Sequence, residues 1–261
     1  MRVVVLFVAV VVATVVALVG SPVGFPLGPK PSHVLDIPVL AYHRVGSLPA
    51  VHTSASDALT VEPQVFAAQM EWLAQHGFHA ITNRQLLRSL DLGKPLPNRP
   101  VLITFDDGYA DVLHNAEPVL HRLHWPATAF VITDRLNSGD PSFLTWRELQ
   151  DLEHDGFTIG SHTVHHLDLT RLSAPQIWFE LLQSRETLER HLGRAVHSFA
   201  YPYGAEDAEV VKIVRSAGYA LAFTTRSGDA QSSRQPLLLR RYEIHRNVGL
   251  ARFAALLHSG S

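Results

Sequence analysis

The chain contains no cysteine among its 261 residues. That excludes disulfides, thiolate-ligated zinc and thiol nucleophiles. It also lacks a charge imbalance: 22 basic against 24 acidic side chains leave a net charge of −2, so the polybasic footprint of a nucleic-acid binder is missing. No internal repeat is visible, and no low-complexity stretch lies beyond the N-terminus. Long apolar runs are also missing, with one exception. After Met1-Arg2, residues 3–20 are interrupted only by Thr14, and eighteen helical residues span roughly 27 Å, close to the thickness of a bilayer core. Residues 1–20 therefore read as a secretory signal peptide or a membrane anchor. The poor cleavage context at Leu18-Val19-Gly20 favours the anchor. Either way the rest of the chain is expected outside the cytoplasm, touching a membrane only through this segment. Residues 21–36, with Pro22, Gly24, Pro26, Gly28, Pro29 and Pro31, read as a linker.

Residues 37–261 have what a globular core needs, in a chain that is 46% hydrophobic and 8% aromatic. Strand-like and helical patterns alternate along them. Residues 38–43 form a first apolar strand. Phe66, Met70 and Leu73 share a helical face that Gly77 ends. Residues 101–105 and 127–132 read as strands, with a helix over 118–124 between them. Thr145 with Glu148, and Ser173 with Gln176, are capping boxes for helices stopped by Gly156 and Gly193. A helix from Asp207 to Gly218, strands over 219–224 and 237–244, and a helix over 250–257 complete the order. Repeated strand-then-helix units imply α/β architecture with a parallel sheet wrapped by helices. About seven such units favour a closed, irregular barrel over a doubly wound open sheet.

Three polar clusters follow apolar runs directly. Val101-Leu102-Ile103-Thr104-Phe105 ends in Asp106-Asp107-Gly108-Tyr109, and Phe157-Thr158-Ile159-Gly160-Ser161 ends in His162-Thr163-Val164-His165-His166. His197-Ser198-Phe199-Ala200-Tyr201 ends in Pro202-Tyr203-Gly204. In a parallel barrel the carboxyl ends of the strands share one face, where active sites are built. Adjacent carboxylates repel, so a buried pair requires a cation or a shared proton. Successive side chains at a strand end point different ways, so one acid can bind metal while the other faces substrate as a base. Histidines four apart can place two imidazoles on one cation. Two His and one carboxylate leave positions open for water, the pattern of a catalytic metal site. Isolated histidines such as His114, His121 and His154, among 16 in all, read as structural.

Thr104-Phe105-Asp106-Asp107-Gly108-Tyr109, Ser161-His162-Thr163-Val164-His165-His166 and Pro202-Tyr203-Gly204 together resemble the three leading motifs of the polysaccharide deacetylases, the nodulation-factor-deacetylase homology domain of carbohydrate esterase family 4. The similarity runs over about residues 38–253. It implies a distorted (β/α)7 barrel of parallel strands with outer helices, and metal-dependent removal of N- or O-acetyl groups from a polysaccharide. By position, Asp107, His162 and His166 would hold a divalent metal, usually zinc, Asp106 would be the general base, and the backbone N–H of Tyr203 would help hold the oxyanion.

The chain also departs from the family pattern. Ala200 stands where an arginine usually orients the base, and Arg240 or Arg241 could supply that guanidinium, Arg241 being preferred. The family's fourth motif is not visible. Its late Leu-x-His motif is unclear, since His245 lies in the wrong context and His258 near the C-terminus reads as a chance match. His43, after the first strand, is the alternative general acid. Tyr42-His43-Arg44-Val45 and Phe199-Ala200-Tyr201-Pro202-Tyr203-Gly204 look like the branch of poly-N-acetylglucosamine deacetylases, which act on exopolysaccharide outside the cell. Tyr109 and Tyr201 are candidate sugar-stacking residues, joined by Tyr203 and by Trp146, the last equally a packing residue. Oligomeric state leaves no sign. The competing readings are a catalytically weak glycan-binding module and an amidohydrolase of small non-sugar amides.

Overall fold

A computed structural model describes residues 32–48 and 54–258. The N-terminal apolar run and residues 21–31 of the linker lie outside the described residues. Among those described, no helix is long and apolar enough to cross a membrane.

Seven strands of the eight-stranded parallel central sheet follow one path: β1 (Val39–Tyr42), β2 (Pro100–Phe105), β3 (Thr128–Val131), β4 (Thr158–Ser161), β5 (Ser198–Ala200), β6 (Leu221–Phe223) and β7 (Tyr242–Glu243), and the short strand His79–Ala80 pairs off that path with the start of β2. The main helices are α1 (Pro63–Gln75), α2 (Asn83–Leu92), α3 (Glu117–Leu123), α4 (Trp146–His154), α5 (Ala174–Leu192), α6 (Ala208–Ser216) and α7 (Leu250–His258). The strand order is β6-β5-β4-β3-β2-β1-β7. It runs in sequence, and the last strand returns to the first. A doubly wound sheet would start in the middle and reverse, so the open-sheet alternative is set aside in favour of the distorted barrel.

Residues 237–244 do not form one strand. Leu239 pairs with Phe223 at the end of β6, while Tyr242 and Glu243 pair with Leu40 and Ala41 of β1. The run changes partners midway, and that switch draws the two edges of the sheet together. Val34–Asp36, at the end of the expected linker, pair with Ala230–Ser232 as an antiparallel ribbon.

Strand alternation sorts the core into two layers. Val39 and Leu102 are register partners, and both belong to an inner cluster with Phe130, Ala200, Leu221, Phe223 and Leu239. One position on, Leu40 and Ile103 face the helices and meet Phe66, Met70, Leu149, Leu181 and Val214 in the outer cluster. Leu86 and Leu90 of α2 join the inner cluster, so α2 plugs the end of the barrel where the strands begin. Burying each such side chain contributes roughly 1.5–3 kcal/mol. The capping boxes appear where the residues place them: Thr145 and Ser173 donate their N–H groups to Glu148 and Gln176 at 2.8 and 2.9 Å.

Candidate active site

Each chemically distinctive residue sits at a strand end on one face. Asp106 and Asp107 follow β2, His162 follows β4, the 202–204 turn follows β5, and His43 follows β1. Arg241 immediately precedes β7.

Asp107, His162 and His166 converge, with one ligand atom from each lying within 4.8 Å of the others. Asp107 Oδ1 is 3.5 Å from both Nε2 atoms, which are 3.1 Å apart. The carbonyl of Ala200 lies 2.8 Å from His162 Nδ1. It can only accept, so Nδ1 carries the proton and Nε2 presents its lone pair to the site. Asp107 Oδ1 is buried and has no hydrogen-bond donor. A buried carboxylate oxygen without a donor beside two imidazole lone pairs is the donor set of a divalent cation. Burial raises Asp107, and the charge of Asp106 raises it further, to about 7, against the pull of Arg135 and Arg241. Burial lowers His162 to about 3 and also lowers His166. Both imidazoles are therefore neutral and ready to ligate at pH 7.

The backbone is strained at the same place. Of six non-glycine residues with positive φ among those described, four are Asp107 (73°), Thr163 (71°), His166 (59°) and Tyr203 (59°). Such conformations cost about 1–3 kcal/mol each and persist only where the surroundings enforce them. Gly204 shows one enforcing contact, since a Cβ there would lie 2.1 Å from Thr225 Oγ1. Glu180 of α5 shows another. Its buried carboxylate accepts the N–H groups of Val164 and His165, both at 3.0 Å, and meets His165 Nδ1 at 2.7 Å. Thr163 Oγ1 in turn accepts the N–H of His166 at 2.9 Å. The ligand loop is thus tied at both ends of its turn. The sequence reading missed Glu180. Its signal was an acid on the buried face of α5, three residues after Ile177 and four before Ser184.

Asp106 is a different kind of carboxylate. Arg241 grips it with two hydrogen bonds, Nη1 to Oδ1 at 2.8 Å and Nη2 to Oδ2 at 2.7 Å. Arg241 Nε donates to the carbonyl of Thr224 at 2.9 Å, and the side chain is only 1% exposed. Burial alone would raise Asp106. The charges of Arg241, His162 and His43, with the Arg241 hydrogen bonds, more than reverse this and hold it well below the usual carboxylate range. Arg241 therefore fills the place that Ala200 leaves vacant. Arg240 instead turns outward to the carbonyl of Ser227.

His43 stands beside Asp106, because Tyr42 and Phe105 are register partners. Burial lowers it to about 4; Asp106 opposes that shift, and Arg241, His245 and His166 add to it. Tyr203 is 67% exposed, with its ring 4.6 Å from that of His166, at the mouth of the site. Tyr109 stacks on Phe143 at 4.8 Å, and the Arg44 guanidinium lies over the Tyr109 ring, 4.8 Å from its centroid. Tyr201 does not fit its expected role as a sugar-stacking residue. It is fully buried, its ring packs edge-on against Phe199, and its hydroxyl donates to the carbonyl of Leu237 at 3.0 Å, so no sugar can reach its face. Trp146 stacks on His191 at 3.8 Å, which is packing between helices. A cavity of about 850 Å³ opens beside Arg241 and His245, with Thr225, Tyr242 and Glu243 in its wall.

Comparison with known proteins agrees with this arrangement. Residues 93–222 match the family model for polysaccharide deacetylase. YxkH of Bacillus subtilis is 29% identical over 223 residues, 85% of this chain and 76% of that protein. The poly-beta-1,6-N-acetyl-D-glucosamine N-deacetylase of Staphylococcus epidermidis is 28% identical over 199 residues, covering 69% of this chain and 68% of its own. Among solved structures, the Streptococcus pyogenes deacetylase PplD in complex with acetate superposes with a TM-score of 0.79 at 26% identity, over 86% of this chain and 99% of that one. IcaB from Ammonifex degensii superposes with a TM-score of 0.72, also at 26% identity, over 85% and 97%. With its parallel barrel, its Asp-His-His cluster and its arginine-gripped carboxylate, the chain belongs to the polysaccharide deacetylase family.

Proposed function

We propose that this protein hydrolyses the N-acetyl groups of N-acetylglucosamine units in an extracellular or cell-wall polysaccharide, and that it does so with a divalent metal, zinc foremost. The observation that carries the reading is the convergence of Asp107, His162 and His166 around a buried carboxylate oxygen without a donor. The kinship with a poly-beta-1,6-N-acetyl-D-glucosamine N-deacetylase supports the choice of sugar.

Asp107, His162 and His166 would hold the metal. When bound, it supplies Lewis acidity that lowers the pKa of a water toward ~7 and polarises an acyl oxygen. Asp106 is ionised throughout the neutral range, and its two bonds to Arg241 fix its plane. A carboxylate so acidic is a weak base, suited to taking a proton from an already acidified water. The Tyr203 N–H would stabilise the developing oxyanion, and a donor of this kind contributes ~3–4 kcal/mol in other acyl-transfer enzymes. The leaving amine needs a proton. His43 is neutral in the free protein and can act as the acid only after receiving one. Asp106, at the neighbouring strand end, would pass it on.

The weak binding-module reading rested on a missing arginine and a missing acid; the Arg241–Asp106 pair answers the first, and the second rests on His43. The test is acetate release from poly-N-acetylglucosamine oligomers, chitin oligomers and peptidoglycan, each with chelator and with restored zinc. Release that chelator abolishes and zinc restores supports the proposal and picks out the polymer. Metal-saturated protein inert on all three would overturn it.

A further inference from the structure

The opposite end of the barrel carries a second cluster of polar groups without partners. Asn83 is 5% exposed and Ser198 is 3% exposed. Neither Oδ1 nor Nδ2 of Asn83 has a hydrogen-bond partner, and neither does Ser198 Oγ. Both residues line a cavity of about 120 Å³ with Arg84, Leu87, Thr158, Arg194 and His197. On the same measure one water needs only ~10–15 Å³. Thr158 and Ser198 are the first residues of β4 and β5, so this end is remote from the strand ends that carry Asp107 and His162.

We infer that this cavity is a binding site for a small oxyanion of the hydrogen phosphate class. Three features select that chemistry. First, Asn83 and Arg84 are the first two residues of the ten-residue helix α2, which begins after its Thr82 cap. The positive end of the helix dipole therefore lies at the cavity. Second, Arg84, Arg194 and His197 are exposed residues in its lining. Arg194 also pairs with Glu153, and no acidic side chain is among the described lining residues. Third, the orphaned groups are of both kinds. The Asn83 carboxamide offers two N–H donors and one acceptor, and the Ser198 hydroxyl can do either. A fully ionised anion would leave Asn83 Oδ1 unmatched. Hydrogen phosphate brings oxygens for the N–H groups, the hydroxyl and the guanidinium groups, and one P–O–H for Oδ1. A buried carboxamide with no partner at either atom is costly, and such a ligand removes that cost.

The site stands independently of the deacetylase reading. It is tested by titrating the metal-loaded protein with inorganic phosphate at constant ionic strength, following heat and thermal denaturation. The wild type, Asn83→Ala and the exposed double variant Arg84→Ala/Arg194→Ala are compared. A saturable rise in Tm in the wild type, with phosphate binding at least tenfold weaker in both variants and phosphate-free deacetylation unchanged in the double variant, is the expected result. Should Asn83→Ala fail to fold, the arginine variant carries the comparison alone. A parallel titration with glycerol phosphate distinguishes the sources. Equal binding points to a phosphoryl group on a larger molecule, and binding of inorganic phosphate alone points to the free ion. No saturable response, or one that both variants retain, would overturn the proposal and leave the cavity to ordered water or the binding to another site.

Discussion

At the scale of single residues, two neighbouring carboxylates are driven in opposite directions by what surrounds them. Asp106 has a guanidinium that donates to each of its two oxygens, and Asp107 has two neutral imidazoles and an oxygen without a donor. The two acids therefore fail differently when altered. Asp107→Ala and His162→Ala are expected to lose metal, measured by metal content after dialysis. Asp106→Asn should keep the metal while turnover falls by roughly 10²–10⁴-fold, the usual contribution of a general base. Arg241→Met removes one partner of a buried pair, a loss of about 3–5 kcal/mol of stability. Its pH signature has a definite sign. In the wild type the folded pKa of Asp106 is depressed, so its stabilisation is present above the unfolded value of ~3.9 and is lost as pH falls through the folded pKa. Without Arg241, burial is the largest remaining influence and raises the pKa. The acid limb of kcat/KM should then move to higher pH, and a limb that stays in place would show that Arg241 does not set the basicity of Asp106.

At the scale of elements, the ligand loop depends on a helix it does not belong to. Glu180 spends its whole carboxylate on Val164 and His165. Partners one step removed from metal ligands commonly alter affinity 10–100-fold when lost. Glu180→Ala is accordingly expected to weaken zinc binding by that order in competition with a chromophoric chelator, with Glu180→Gln, which keeps an acceptor, in between. This is also where legibility in the sequence divides. The strand-end motifs, the capping boxes and the helical stripe of Phe66, Met70 and Leu73 are local patterns, and they led to the elements and to an Asp-His-His group that the fold brings together. Glu180 reaches a loop 15–16 residues earlier, and Arg241 reaches Asp106 across 135 residues. Those contacts depend on which strands become neighbours. The Tyr201 expectation failed on a signal that was present: two residues from Phe199, it shares that residue's strand face and so packs with it. The 237–244 run kept its apolar pattern while changing partners, and period-2 hydrophobicity carries no information about partner identity.

At the scale of the molecule, the proposed function links the metal, the proton and the fold. The donor set gathers residues from the ends of β2 and β4, so it exists only when the sheet is closed around its inner layer, and metal that binds the folded state adds RT ln(1 + [L]/Kd) to stability. At a thousandfold excess over Kd that is ~4 kcal/mol, which for a domain of this size raises Tm by on the order of 10 °C. The proton enters through Asp107, held at about 7 without a cation, while burial has already neutralised His162, whose value is about 3. Below about pH 7 each metal ion must displace one proton from Asp107. Above it the carboxylate is already free. The affinity should thus fall about tenfold per pH unit below neutrality, with a slope of one proton from Asp107. The metal-induced rise in Tm should shrink along the same curve. Calorimetric titrations in buffers of different ionisation enthalpy, repeated at several pH values, count the protons directly. Release of one proton per metal at pH 6, from Asp107, is the expected result, and a proton released at pH 8 belongs to the water that the metal acidifies. A two-proton slope below neutrality would mean that an imidazole releases a proton as well as Asp107, and the burial argument for neutral His162 and His166 would fall with it.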